Sequence, residues 1–152
     1  MKKVISFILV VVMVLAFAGC ENEAEEKYIY DNRLPVGSTE LPFDLSIGSL
    51  KPNHGCYSDH YASPVNSDHN GTISINGTIQ TSDQAEISSP KEIKIILHKV
   101  NDEYPMEEYA VVLNSNVAYV SYDFTGIGTS SSYFIQVINT TEADIDVNLK
   151  LK

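Results

Sequence analysis

The stretch DIDVNLKL, Asp144 to Leu151, constrains the fold more than any other part of this 152-residue chain. In an extended strand Ile145, Val147, Leu149 and Leu151 point one way, and Asp144, Asp146, Asn148 and Lys150 point the other. Successive strand side chains alternate between faces, so this segment has one dry face and one wet face. That is the pattern of an antiparallel sheet packed on one side. The same period recurs upstream. Phe43, Leu45 and Ile47 alternate in FDLSIG, Ile73, Ile75 and Ile79 in TISINGTIQ, and Ile93, Ile95 and Leu97 in EIKIILHKV. YAVVLN, AYVSYDF and SYFIQVIN follow at Tyr109, Ala118 and Ser132. Behind the first twenty residues no apolar stripe has helical spacing.

The punctuation between these segments is turn chemistry. SSP at Ser88, NDEYP at Asn101, TGIGTSSS at Thr125 and NTTEA at Asn139 separate the apolar runs. Asn76-Gly77 is a two-residue hairpin signal. Yet the alternation runs through it with Gly77 in phase with the isoleucines, and each hairpin arm would be very short. One long strand with a glycine kink is therefore preferred. Short strands at this spacing predict an all-β chain with a single antiparallel β-sandwich over residues 41–152. The arrangement resembles an immunoglobulin-like or fibronectin type III-like sandwich, with YFIQVIN and DIDVNLKL as its final pair. The chain has no tryptophan and no Cys-Trp-Cys signature, so the likeness is one of pattern. No function follows from it, because sandwiches host many roles.

The first twenty residues are MKKVISFILVVVMVLAFAGC. Lys2 and Lys3 precede an apolar run from Val4 to Ala18, broken only by Ser6. The run is shorter than the roughly 20 residues that a bilayer-spanning helix needs. A basic start, a short apolar core and small residues after it form an export signal. Phe17-Ala18-Gly19-Cys20 resembles the lipobox of bacterial lipoproteins, although Phe17 stands where leucine is usual. The resemblance implies cleavage after Gly19, a signal peptide over residues 1–19 and a diacylglyceryl thioether on Cys20. It further implies a protein held on the extracytoplasmic face of the cell membrane. Each buried methylene contributes about 0.8 kcal/mol, so two or more acyl chains hold stably where one does not. Residues 20–40 begin acidic, and Pro35 and Gly37, with Pro42 just beyond, punctuate their end. They read as a flexible tether, with Tyr28-Ile29-Tyr30 as an alternative short edge strand.

Cleavage would leave 133 residues. Loss of Lys2 and Lys3 takes ten basic residues to eight against twenty acids, a net charge of −12. Beyond the tether roughly 110 residues remain, enough for one compact domain. The acidity argues against nucleic acid, whose phosphates would be repelled. With Cys20 acylated, Cys56 is the one thiol left, so stability must come from an apolar core. Asn70-Gly71-Thr72, Asn76-Gly77-Thr78 and Asn139-Thr140-Thr141 match the N-glycosylation triplet. Behind a bacterial lipobox they read instead as Asn-Gly turns and a loop.

HGCYSDH, His54 to His60, concentrates the chain's metal-ligating chemistry, and His69 follows with Asp68 beside it. Thiolate and imidazole suit zinc or copper. His54 and Cys56 share one face of a strand about 6.6 Å apart, whereas His60 lies about 13 Å from Cys56 unless the chain bulges or turns. A metal site on His54, Cys56, His60 and His69 is one reading. A nucleophilic Cys56 with a pKa lowered by a histidine is another. The favoured reading is a polar loop and edge strand with Tyr57 and Tyr61 half-buried and a small thiol packed beneath.

No G-x-S-x-G, H-E-x-x-H, phosphate-cradling G-x-x-x-x-G-K or C-x-x-C occurs, so no catalytic residue is assigned. Nine tyrosines are many for this length, and Tyr104, Tyr109, Tyr119, Tyr122 and Tyr133 fall in the second half. Core packing is favoured for them over a role in stacking on sugars or docking a protein. The leading expectation is a non-enzymatic, membrane-anchored binding module for an envelope protein or glycan, without a cofactor. A zinc- or copper-binding lipoprotein and a small envelope hydrolase or thiol enzyme are the alternatives.

Overall fold

A computed structural model describes residues 29–30, 35, 37–62 and 71–152. Among the described residues eleven strands form two sheets. They are β1 (Ile29–Tyr30), β2 (Gly37–Thr39), β3 (Phe43–Leu50), β4 (His54–Tyr57), β5 (His60–Ala62) and β6 (Ile73–Thr81). Then come β7 (Lys91–Lys99), β8 (Glu107–Leu113), β9 (Val117–Phe124), β10 (Tyr133–Asn139) and β11 (Ile145–Leu151). One sheet runs β3-β11-β6-β9. In the other, β10 pairs with β7 on one side and with β4 and β5 on the other, and β8 extends the β7 edge. β1 and β2 add parallel to β4 and β5.

The expected antiparallel sandwich is what forms. Its connectivity is more specific than the alternation revealed. From β3 onward, apart from the β4–β5 continuation and the β7–β8 hairpin, each connection crosses from one sheet to the other. Counting β4 and β5 as one interrupted strand, eight strands make two four-stranded layers, the double Greek key of a jelly roll. The immunoglobulin-like order differs: it would keep the last two strands in one sheet. Here β10 and β11 lie at the centres of opposite sheets, because each finds long-range partners on both sides. Two parts of the expected tether also run as strands, Ile29–Tyr30 and Gly37–Thr39, so the edge-strand alternative holds for Ile29 and Tyr30.

The dry faces meet as read. Ile145, Val147, Leu149 and Leu151 on β11 are no more than 3% exposed, and Ile73, Ile75 and Ile79 on β6 are fully buried. Ile93, Ile95 and Leu97 on β7 face them with Ile135 and Val137 on β10, also fully buried. Each such side chain contributes about 1.5–3 kcal/mol on burial.

Asn76-Gly77 is not a turn. β6 runs through it unbroken, with Gly77 opposite Leu149 on one side and Val120 on the other. A Cβ on Gly77 would stand 2.0 Å from the Asn148 carbonyl oxygen and 2.9 Å from the Leu149 Cα. Both are backbone atoms of the neighbouring strand, so glycine is needed for a close strand approach.

One corner is held by a buried side chain. Asn139, fully buried at the end of β10, donates through Nδ2 to the carbonyls of Leu50 and Ala143, both at 2.8 Å. Its Oδ1 accepts from the Thr141 amide at 2.9 Å and the Thr141 hydroxyl at 2.8 Å. Its own carbonyl accepts the Asn53 amide at 2.8 Å. The triplet Asn139-Thr140-Thr141 is thus a structural corner with its amide nitrogen engaged.

Two outcomes follow. Gly77→Ala should lower stability by roughly 1–3 kcal/mol through steric overpacking between β6 and β11. Asn139→Leu should cost roughly 2–4 kcal/mol by leaving buried backbone groups without partners. Urea unfolding followed by far-ultraviolet circular dichroism reads both, and an unshifted midpoint for either variant contradicts its assignment.

Candidate functional site

The histidine–cysteine stretch forms the interrupted strand β4–β5, which lies between β10 and the short outer strands β1 and β2. Tyr57 opposes Gln136 and Ala62 opposes Tyr133, so five steps along β4–β5 match three along β10. The excess is a bulge at Ser58–His60, and bulges re-aim side chains. Ser58 stabilises it. Its amide donates to the Ile135 carbonyl at 2.8 Å, and its hydroxyl donates to the His60 carbonyl at 2.7 Å while accepting the Ile135 amide at 3.2 Å.

The bulge separates the residues that sequence spacing placed together. His54 turns back on its own turn, Nδ1 donating to the Pro52 carbonyl at 2.9 Å. Cys56 opposes Val137 and packs partly buried on the core, its thiol donating to the Tyr57 carbonyl at 3.4 Å. His60 is exposed and lies over Gly37. Among the described residues no three His, Cys, Asp or Glu side chains gather as metal ligands. His54, Cys56 and His60, the described members of the alternative zinc or copper set, are thus not gathered into one site. His69 and Cys20 lie outside the described residues. The favoured reading holds for Tyr57 and Tyr61, which are half-buried, and for the partly buried Cys56, but the segment is not an edge, because β1 and β2 pair on its outer side.

The tyrosines divide. Tyr133 is 2% exposed, and Tyr109 and Tyr122 pack on the core and stack with centroids 4.1 Å apart. That pair closes the gap between the β8 and β9 edges. Tyr122 donates to Glu107 at 2.5 Å. This bond, with burial and the carboxylate's charge, raises the phenol above its ordinary range. Tyr104 and Tyr119 are instead 74% and 82% exposed.

The feature that alternation concealed is the outer face of the β10 sheet. Phe134 and His98 stack at 4.9 Å with planes 9° apart, and Tyr57 meets Phe134 edge-on at 5.5 Å. His98 Nε2 donates to Gln136 Oε1 at 2.9 Å. Ile96, Gln136 and Ile138 on the same face are only 5–7% exposed. The signal was present as broken alternation: Ile95-Ile96-Leu97 and Tyr133-Phe134-Ile135 are continuous apolar runs, which mark strands dry on both faces. Beside Phe134 a pocket of about 340 Å³ opens between Tyr61, Pro35 and the turn Lys99–Asp102. This aromatic face and its pocket form the candidate site.

No protein-family model matches the chain, and no curated protein matches it in sequence. The chemistry of the site is therefore read from its own residues.

Acid sensitivity is carried away from this site, at the bulge of β3 against β11. Asp146 Oδ1 accepts the Ser49 amide at 2.9 Å and the Ser82 hydroxyl at 2.7 Å. The Ser49 amide bond, then the Ser82 bond, hold its carboxyl below the usual range. A folded pKa below the unfolded one gives stability above the unfolded value, about 3.9, that is lost as pH falls. Asp146→Asn should flatten the decline in unfolding midpoint below about pH 4. An acid limb identical to that of the parent protein would show that these bonds do not report on stability.

Proposed function

We propose that the chain is a lipid-anchored module on the extracytoplasmic face of a membrane, presenting a non-catalytic β-sandwich that binds an envelope protein or glycan. The observation that carries this reading is Cys20 directly behind Phe17-Ala18-Gly19 and a short apolar run with Lys2 and Lys3 ahead of it. The described fold adds a length. Nine steps of chain separate Cys20 from Ile29, whose strand pairs with β4. Fully extended they reach at most about 32 Å, so an anchored domain would stand close to the lipid head groups. β1 runs parallel to β4 with Ile29 opposite His54, so the chain joins the sheet at its His54–Asn139 end. The Tyr61–Lys99 end, with the pocket, lies at the other end of β10.

Expression of the full chain and of Cys20→Ser in a bacterial host with labelled palmitate tests the anchor. The parent should carry label and fractionate with membranes, and Cys20→Ser should lose both. A mature parent protein without acyl mass on Cys20 overturns the proposal.

A further inference from the structure

The pocket beside Phe134 has two chemically distinct walls. Tyr61, Phe134 and Pro35 supply carbon surface, and Lys99, Asn101 and Asp102 supply hydrogen-bonding groups. Its volume of about 340 Å³ lies at the lower end of the range for small-ligand sites. The Lys99 ammonium and the Asp102 carboxylate are 3.3 Å apart, so their charges offset each other. An ion gains little there, and the chain's net charge of −10 further disfavours an anion. An uncharged ligand that has both an apolar face and several hydroxyls matches both walls.

The walls are also set in advance. His98 covers one face of Phe134 and is itself held by Gln136, while Tyr57 abuts the ring edge. The turn is pinned by the Val100 amide donating to the Ser132 carbonyl at 2.9 Å and the Asp102 amide donating to the Lys99 carbonyl at 3.1 Å. Asn101 takes the left-handed conformation, φ 70°, that asparagine tolerates better than most residues. Groups already fixed in place lose little freedom when a ligand arrives.

We propose that this pocket binds one sugar ring of a neutral glycan. The C–H face of the ring packs on Tyr61 and Phe134. Its hydroxyls take hydrogen bonds from Lys99 and Asn101 and give them to Asp102. The assignment rests on the reading of the protein as a binding module and names its ligand class. It agrees with the position of the pocket, at the end of the sheet opposite the point where the chain enters from the anchor side.

The test uses the full chain purified in detergent with its native N-terminus. Calorimetry and saturation-transfer nuclear magnetic resonance are run against cellohexaose, maltohexaose, xylohexaose, mannohexaose and chitohexaose. Polygalacturonate and a proline-rich peptide serve as competing ligand classes. At least one neutral oligosaccharide should bind with a Kd at or below about 1 mM. Phe134→Ala and the exposed-turn variant Asp102→Ala should each weaken it about fivefold or more, and Tyr119→Ala on the other sheet should not. Circular dichroism confirms that Asp102→Ala is folded. The proposal is overturned if no neutral sugar binds, if binding survives both pocket variants, or if only the polyanion or the peptide binds. A labelled Cys20 with no sugar bound would remove the glycan and keep the anchored module. A bound sugar without acylation would do the reverse.

Discussion

The buried carboxamide of Asn139 is the interaction on which this sandwich most depends. It sits where β10 leaves one sheet and the chain crosses to β11 in the other. Its two donors hold the end of β3 and the Ala143 carbonyl just ahead of β11, and the main-chain carbonyl of the same residue holds the turn that begins β4. Four chain segments therefore meet at one residue. A buried amide is costly without partners and rigidifying when fully bonded. Here it acts as a clasp between two layers whose shared core is apolar.

The other irregularities have the same logic. The bulge of β3 leaves the Ser49 amide outside the ladder, and Asp146 accepts it. The bulge between β4 and β5 leaves the Ile135 amide without a ladder partner, and the Ser58 hydroxyl accepts it. At Gly77 the ladder is kept and the side chain is given up so that β11 can approach. Interruptions of pairing are thus matched by short polar side chains, while the core positions stay aliphatic. The second bulge also has a functional consequence: it carries His60 out to solvent and leaves Tyr61 beside the pocket.

Much of this was legible in the chain. The dry faces of β6, β7 and β11 followed from period-two spacing, and Gly77 in phase with Ile75 and Ile79 correctly argued against a hairpin. The candidate site was harder to read. HGCYSDH drew attention because its residue types are reactive, yet a two-residue surplus against β10 decides where each side chain goes. His98 and Phe134 are 36 positions apart and become stacked neighbours only through the pairing of β7 with β10. The apolar runs that interrupt alternation in those strands were the one local trace of it.

By itself the sequence determined which residues of the described strands face inward, that this part of the chain builds sheets rather than helices, and that a short apolar run behind two lysines ends at a cysteine. These properties depend on side-chain period and local hydrophobicity, which a chain carries wherever it is placed. Tertiary structure decided strand order, the two bulges, the Asn139 corner and the aromatic face with its pocket. Those depend on which distant backbone groups pair with one another, and a one-residue change in that register moves every side chain to the opposite face.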